Sequence, residues 1–380
     1  MSAAVLFEEL PAGGGKRLGV ATLNAEKSLN SLSLEMVHAL TERLTVWAAD
    51  DGIAVVLLQA AGEKAFCAGG DLQNLYTSMR QHHSSPEHGN AAANQYAADF
   101  FRHEYRLDYQ IHTYPKPVLC WGHGIVMGGG IGLMAGASHR VVTGQSRLAM
   151  PEISIGLFPD VGGSWLLSRM PGKTGLFLAL TGAQVRAADA LFLGLADHGI
   201  AQENKAAVLA TLLEQPWSGQ RADNDRLLTQ LLRRHADPAL AEAGPVRQHF
   251  EAINRLCGAA SLAQIVAALS QHASDDAWFN KAIATLRAGS PGSIALSHAL
   301  QQRVAGLSLA DVFRLEYIAA LHCAARPDFA EGIRALLIDK DGKPGWQPPT
   351  LQQVSADWLE GFFTAPAWPA HPLADLGRPL

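Results

Sequence analysis

The chain has 380 residues, 48% of them hydrophobic and 17% charged, with a formal net charge of −5. That balance excludes a disordered or fibrous polypeptide, supplies a sizeable core, and at this length allows two or three domains. No basic tract or aromatic-interleaved Arg/Lys stripe stands out, so nucleic acid is not expected as a partner.

The first half alternates strand and helix signals. Residues 18–23 read as a strand, and residues 34–49 as an amphipathic helix with Ser33 as its N-cap. Residues 53–59 form a continuous apolar run, the mark of a strand buried on both faces, and residues 117–121 and 140–143 repeat it. Between them, residues 94–113 carry Tyr96, Phe100, Tyr105, Leu107 and Ile111 at helical spacing. This alternation predicts a layered α/β core. Beyond about residue 201 strand signals nearly vanish, and helical windows follow at 206–213, 225–234, 261–270, 292–304, 310–325 and 329–338. The expectation is a β-rich core over residues 1–200 and a helical region over 201–380. The run from His82 to Asn90 reads as an exposed polar loop, its clustered histidines being solvated groups rather than metal ligands.

Cys67, Cys120, Cys257 and Cys323 show no C-x-x-C spacing, which points to core thiols in a reducing compartment. No apolar run reaches spanning length and no signal-peptide pattern opens the chain. The expected location is the cytoplasm, with no membrane partner and no metal.

Three segments carry chemistry. Ala65-Phe66-Cys67-Ala68-Gly69-Gly70-Asp71 and Met127-Gly128-Gly129-Gly130-Ile131-Gly132 expose bare glycine backbone. Two N–H groups aimed at one point would form an oxyanion hole for a carbonyl gaining negative charge. Close helix–strand packing explains the glycine triplet equally well. Dinucleotide binding is a rival, because Gly130-Ile131-Gly132-Leu133-Met134-Ala135 fits G-x-G-x-x-G/A with Glu152 downstream, but that acid follows a proline and not a strand end. Asp71 would cap a helix starting near Leu72. In the third segment, Met150-Pro151-Glu152-Ile153-Ser154-Ile155-Gly156-Leu157-Phe158-Pro159-Asp160, two carboxylates lie on an apolar loop. Burial there would raise the Glu152 pKa and suit it to proton transfer, while Asp160 is either its partner or a helix cap. G-x-S-x-G, H-E-x-x-H and P-loop patterns are missing, which leaves carboxylate chemistry.

Together these residues resemble the crotonase (enoyl-CoA hydratase/isomerase) superfamily, and more narrowly its 3-hydroxyisobutyryl-CoA hydrolase branch. The likeness runs from Leu23-Asn24-Ala25-Glu26-Lys27-Ser28-Leu29-Asn30 through Phe66-Cys67-Ala68-Gly69-Gly70-Asp71, Gly124-Ile125-Val126-Met127-Gly128-Gly129-Gly130 and residues 150–163, and resumes at Phe329-Ala330-Glu331-Gly332-Ile333-Arg334-Ala335 and the residues up to Asp341. The run from Ile155 to Gly163 is the part most specific to the hydrolases. The resemblance implies a ββα spiral core with a helical C-terminal region covering the site, and an acyl-CoA substrate with no separate cofactor. It implies that the Gly70 and Gly129 N–H groups hold the thioester carbonyl, that Glu152 is the central carboxylate, and that Asp160 and Glu104 line the acyl pocket. Lys27 and Lys64 fall near segments that cradle CoA in similar proteins, and Lys340 lies in the C-terminal motif, though each reads equally as a surface lysine. Relatives often assemble as homo-oligomers, the alternative being a helical half that covers the site within one chain. The related hydratases carry a second glutamate two residues after the glycine triplet, where this chain has Gly132. Thioester hydrolysis is therefore expected. The alternatives are an enoyl-CoA hydratase/isomerase using Glu152 alone, and a non-enzymatic acyl-CoA-binding subunit.

Overall fold

The computed structural model describes residues 3–378. Its strands are β1 (Val5–Pro11), β2 (Arg17–Leu23), β3 (Ile53–Ala60), β4 (Ala65–Cys67), β5 (Val118–Gly122), β6 (Ile125–Met127), β7 (His139–Val142), β8 (Arg147–Ala149) and β9 (His198–Gly199). They form a six-stranded sheet ordered β1-β2-β3-β5-β7-β9 and a three-stranded sheet ordered β4-β6-β8. Only β1 runs antiparallel in the large sheet, pairing Phe7 with Ala21; the pairs from β2 to β9 are parallel. The continuous apolar run in β3 is buried at every position but Gln59, as expected of a strand covered on both faces.

A repeat organises the chain. β3 and β4, β5 and β6, and β7 and β8 each place a first strand in the large sheet and a second in the small one. Helical structure follows each second strand: α2 (Leu72–His83) and α3 (Gln95–His112) after β4, and α4 (Gly129–Ala135) after β6. After β8 come a 3-10 turn at Glu152–Ser154 and α5 (Gly163–Leu167). This is the ββα spiral the resemblance implied, and all three chemical segments occupy the same place in it. Ahead of the repeats lies α1 (Leu34–Ala49), with the bounds expected; the Ser33 hydroxyl accepts from Met36 N–H at 3.2 Å and starts it.

The last strand among the described residues ends at Gly199, so the change of character near residue 200 is present. The compact units nevertheless do not divide there. One comprises the chain up to Gly70, Leu107–Leu148 and Gln184–Gln248; the other comprises Asp71–Arg106, Ala149–Ala183 and the chain from His249 on. The reason is packing. Helices Lys205–Glu214 and Arg221–Arg234 deliver Val208, Leu212, Leu228, Leu231 and Leu232 into the cluster built on Leu18, Val55, Leu57, Leu119 and Val141. All four cysteines are buried and none forms a disulfide.

The histidine-rich run departs from expectation. His82 and His83 end α2; His82 is buried with its Nε2 3.2 Å from Glu87 O, and only the stretch from Pro86 to Asn90 is exposed throughout. The cause is amphipathicity: α2 buries Leu75, Met79 and His82 on one face.

Trp47 ties α1 to the sheet edge. It is fully buried, its indole N–H donates to Glu9 at 2.8 Å, and its ring lies where a Cβ on Gly19 would come within 2.8 Å. Trp47→Ala is expected to lower stability by about 3–5 kcal/mol, read as a lower denaturation midpoint; a loss below about 1 kcal/mol would contradict this packing.

Candidate active site

The two glycine segments converge within one unit. β4 and β6 are parallel neighbours, pairing Ala65 with Ile125 and Cys67 with Val126, so Gly69-Gly70 and Gly128-Gly129 leave adjacent strand ends. Each glycine has its own reason. Gly69 at φ 113° and Gly128 at φ 48° hold conformations that L side chains rarely adopt. Gly130 is a packing glycine, since a Cβ there would sit 2.4 Å from Cys67 O. Gly129 is buried at the first position of α4, where an N–H has no acceptor inside the helix. Gly70 pairs with Leu32 as a parallel bridge in which Leu32 N–H donates to Gly69 O at 2.8 Å. In that register the Gly70 N–H points away from Leu32. With seven residues, α4 adds little dipole, and the amides themselves are the donors available.

Dinucleotide binding does not survive this geometry. β6 and β7, which flank α4, lie in different sheets, so no βαβ unit exists there, and Glu152 sits in a 3-10 turn beyond the end of β8. Asp71 does cap α2, accepting from Asn74 N–H at 3.2 Å.

The carboxylates gather in the other unit. Glu152 is 4% exposed, Asp160 5% and Glu104 2%. The Glu152 turn is clamped by backbone. A Cβ on Gly156 would meet the Asp328 main chain at 2.3 Å, one on Gly332 would meet Ile155 at 2.4 Å, and Ser290 N–H donates to Ile153 O at 2.9 Å. Glu152 Oε2 is buried with no hydrogen-bond partner. Burial first, and the Asp160 charge second, push the Glu152 pKa well above the ordinary carboxylate range. Burial also raises Asp160, opposed by the hydrogen bond from Tyr105, whose hydroxyl donates to Asp160 Oδ2 at 2.9 Å.

Two residues here were not singled out in the sequence. Tyr105 counted only as an apolar helix position, yet it is fully buried, and burial with the charges of Asp160, Glu316 and Glu104 drives its phenol well above its usual value. Glu316, on helix Leu309–Ala325, is also fully buried. Its Oε2 accepts from Gly162 N–H at 2.7 Å and its Oε1 from Ser164 N–H at 3.0 Å. Burial pushes its pKa up to about 8 against those two bonds. Glu316 thus caps α5, and the Asp160 side chain does not, which removes the helix-cap reading of Asp160. A signal for Glu316 was available: it shares a helical stripe with Val312, Phe313, Tyr317 and Ala320, an acid where the period calls for an apolar residue. Lys27, Lys64 and Lys340 are all exposed. Among the described residues no cluster of three or more His, Cys, Asp or Glu is arranged to hold a metal, and no helix is long and apolar enough to cross a membrane.

If Gly130 serves packing alone, Gly130→Ala should destabilise the protein by about 1–3 kcal/mol through the clash with Cys67. Chemical denaturation checks this, and an unchanged midpoint would place the clash elsewhere.

Comparison with known proteins agrees with this architecture. The family model for enoyl-CoA hydratase/isomerase matches residues 18–363. The 3-hydroxyisobutyryl-CoA hydrolase, mitochondrial, of Danio rerio is 38% identical over 364 residues, covering 95% of this chain and 89% of its own. Its Homo sapiens counterpart is 34% identical over 349 residues, covering 91% and 86%. The crystal structure of a carnitinyl-CoA dehydratase from Mycobacterium thermoresistibile superposes with a TM-score of 0.83 at 36% identity, covering 97% of this chain and 98% of that one. An enoyl-CoA hydratase from Rhodobacter sphaeroides gives 0.79 at 33% identity, covering 95% and 97%. Both hydrolase relatives are named mitochondrial, so they lend no support to the cytoplasmic location expected from sequence. The chain belongs to the enoyl-CoA hydratase/isomerase family, within the branch whose members include the 3-hydroxyisobutyryl-CoA hydrolases.

Proposed function

We propose that this protein is an acyl-CoA thioester hydrolase that splits 3-hydroxyisobutyryl-CoA into 3-hydroxyisobutyrate and free CoA, a step of valine breakdown. What carries the reading is Glu152, a buried carboxylate with one oxygen unpartnered, near enough to a second buried acid, Asp160, to feel its charge. The Gly70 and Gly129 amides polarise the thioester carbonyl and stabilise the oxyanion as it forms. Glu152 then acts by one of two routes. It attacks the carbonyl carbon, expelling the CoA thiolate and leaving a mixed anhydride that water hydrolyses, or it takes a proton from the water that attacks. Either route consumes one water and breaks the C–S bond; the water's hydroxyl ends on the acyl carbon and its other proton on the departing CoA sulfur, which leaves Glu152 ionised again. Asp160 accepts a hydrogen bond from the 3-hydroxyl of the acyl chain, and Glu104 lines the same pocket. CoA is part of the substrate, and no other cofactor enters the step.

The names of the two solved neighbours suggest addition or removal of water at a double bond instead. Gly132 argues against that for this chain, because the second acid such a reaction uses has no counterpart at this buried helical position. Assembly as a homo-oligomer belongs to the same reading and is checked by sedimentation. For the compartment, the four buried cysteines suit a reducing space, and cytoplasm remains our reading.

Purified protein is expected to release thiol from 3-hydroxyisobutyryl-CoA, and Glu152→Gln to lose about 10²–10⁴ in kcat with KM changed far less. Rapid hydration of crotonyl-CoA without thiol release would refute the hydrolase reading. The pH profile gives a second check. Glu152 must be ionised to act, and its pKa is raised, so kcat/KM should fall on acidification at a pH well above the ordinary glutamate value of about 4.3. Asp160→Asn removes a negative neighbour and should move this acid limb downward, though not to the ordinary value, because burial remains. A limb that moves upward would contradict the assignment.

A further inference from the structure

Asp160 owes its position to residues remote in sequence. Immediately after it, Val161 has φ 53°, a left-handed conformation that is a genuine outlier for a β-branched residue. Gly163 N–H donates to Asp160 O at 2.6 Å and closes the turn around that strained residue. Such a conformation persists only where the surroundings over-determine it. Gly162, the N-cap of α5, has no side chain to supply the cap. The Glu316 carboxylate supplies it from another helix, with one oxygen on Gly162 N–H and the other on Ser164 N–H.

A fully buried acid is a poor choice for stability alone, since an apolar residue of the same volume would avoid its desolvation. What the acid can do, and Leu or Met could not, is take two main-chain amides at once and hold the turn. The Asp160 side chain is fixed separately. The Tyr105 ring lies 5.8 Å from Phe101 and 5.6 Å from Phe313, centroid to centroid, and this packing sets the direction of its hydroxyl toward Asp160 Oδ2. The carboxylate also takes a hydrogen bond from its own main chain, so its orientation is set from two sides.

We propose that Tyr105 and Glu316 are positioning residues for acyl-group selection: Glu316 fixes the turn that carries Asp160, Tyr105 fixes its carboxylate, and together they aim Asp160 at the 3-hydroxyl of the acyl chain. The inference rests on the hydrolase reading and on the role given there to Asp160. It differs from a general structural role in one respect. A loosened fold slows every substrate, whereas a misaimed Asp160 slows the hydroxylated one selectively.

The experiment measures kcat/KM for 3-hydroxyisobutyryl-CoA and for isobutyryl-CoA, which lacks the hydroxyl, with native protein, Tyr105→Phe, Glu316→Gln and Asp160→Asn, alone and combined. Thermal melting of each variant is recorded alongside. Native protein should prefer the hydroxylated substrate, and Tyr105→Phe and Glu316→Gln should each reduce that preference by about tenfold or more. In the Asp160→Asn background neither should reduce it further by more than about twofold, because both act through Asp160. Equal losses on both substrates, or a preference that falls as much without Asp160 as with it, would overturn the inference while leaving the hydrolase reading intact. If Glu316→Gln does not fold, Tyr105→Phe decides by the same criterion. Absence of thiol release by the native protein from either thioester would remove the functional reading and this inference together.

Discussion

Two carboxyl groups, Glu152 and Asp160, lie buried on one loop, eight residues apart on successive turns, and one oxygen of Glu152 has no partner in the protein. Burying an unpaired carboxylate is among the most unfavourable arrangements a fold contains, and the group responds by holding its proton more tightly. Much of the surrounding structure keeps that arrangement from relaxing. Gly156 and Gly332 let main chains approach closer than any side chain would permit, and Asp328 takes the Ser290 hydroxyl at 2.6 Å and Gln347 N–H at 2.7 Å, pinning the segments that press on the turn. Without such bracing the loop could rotate Glu152 toward solvent and lower its free energy. Rigidity here is the means by which a reactive, under-solvated group is retained.

The ββα repeat shows how one architecture supplies different tools. After the second strand of the first two repeats comes glycine backbone, which offers N–H groups; after the third comes an acid on a 3-10 turn. Amides cannot titrate and cost no reorganisation as charge develops, whereas the acid must gain or lose a proton. Successive turns of the same spiral thus carry main-chain donors twice and a carboxylate once.

Much of this was legible in the sequence where a local rule governs the outcome. The helix from Leu34 to Ala49 has its cap, its period and its end in consecutive residues, and the buried strand from Ile53 is an unbroken apolar run. The glycine pairs and the Glu152–Asp160 loop stood out because their residue types are unusual in that order. Other features depend on distant partners. The first strand, Val5–Pro11, places Glu8 and Glu9 side by side and breaks the alternation a strand reading needs; Glu9 is accommodated because Arg17 and the Trp47 indole face it. Nothing in the residues around Glu104 marks it as buried, and only tertiary packing makes it so. Glu316 was hidden for a related reason, since its partners are backbone amides more than 150 positions earlier in the chain. The boundary near residue 200 reflected a real loss of strands, but composition does not say which helices complete an earlier sheet.

The central claim is that Glu152 is a buried acid whose proton affinity is raised by its surroundings. Infrared difference titration of the carboxyl stretch, comparing native protein with Glu152→Gln between about pH 4 and pH 8, addresses that claim without any assumption about substrate. The account predicts a protonated-carboxyl signal that persists well above the ordinary glutamate range in native protein and is absent from the variant. A Glu152 signal that vanishes near pH ~4.3, as for a glutamate in water, would contradict it.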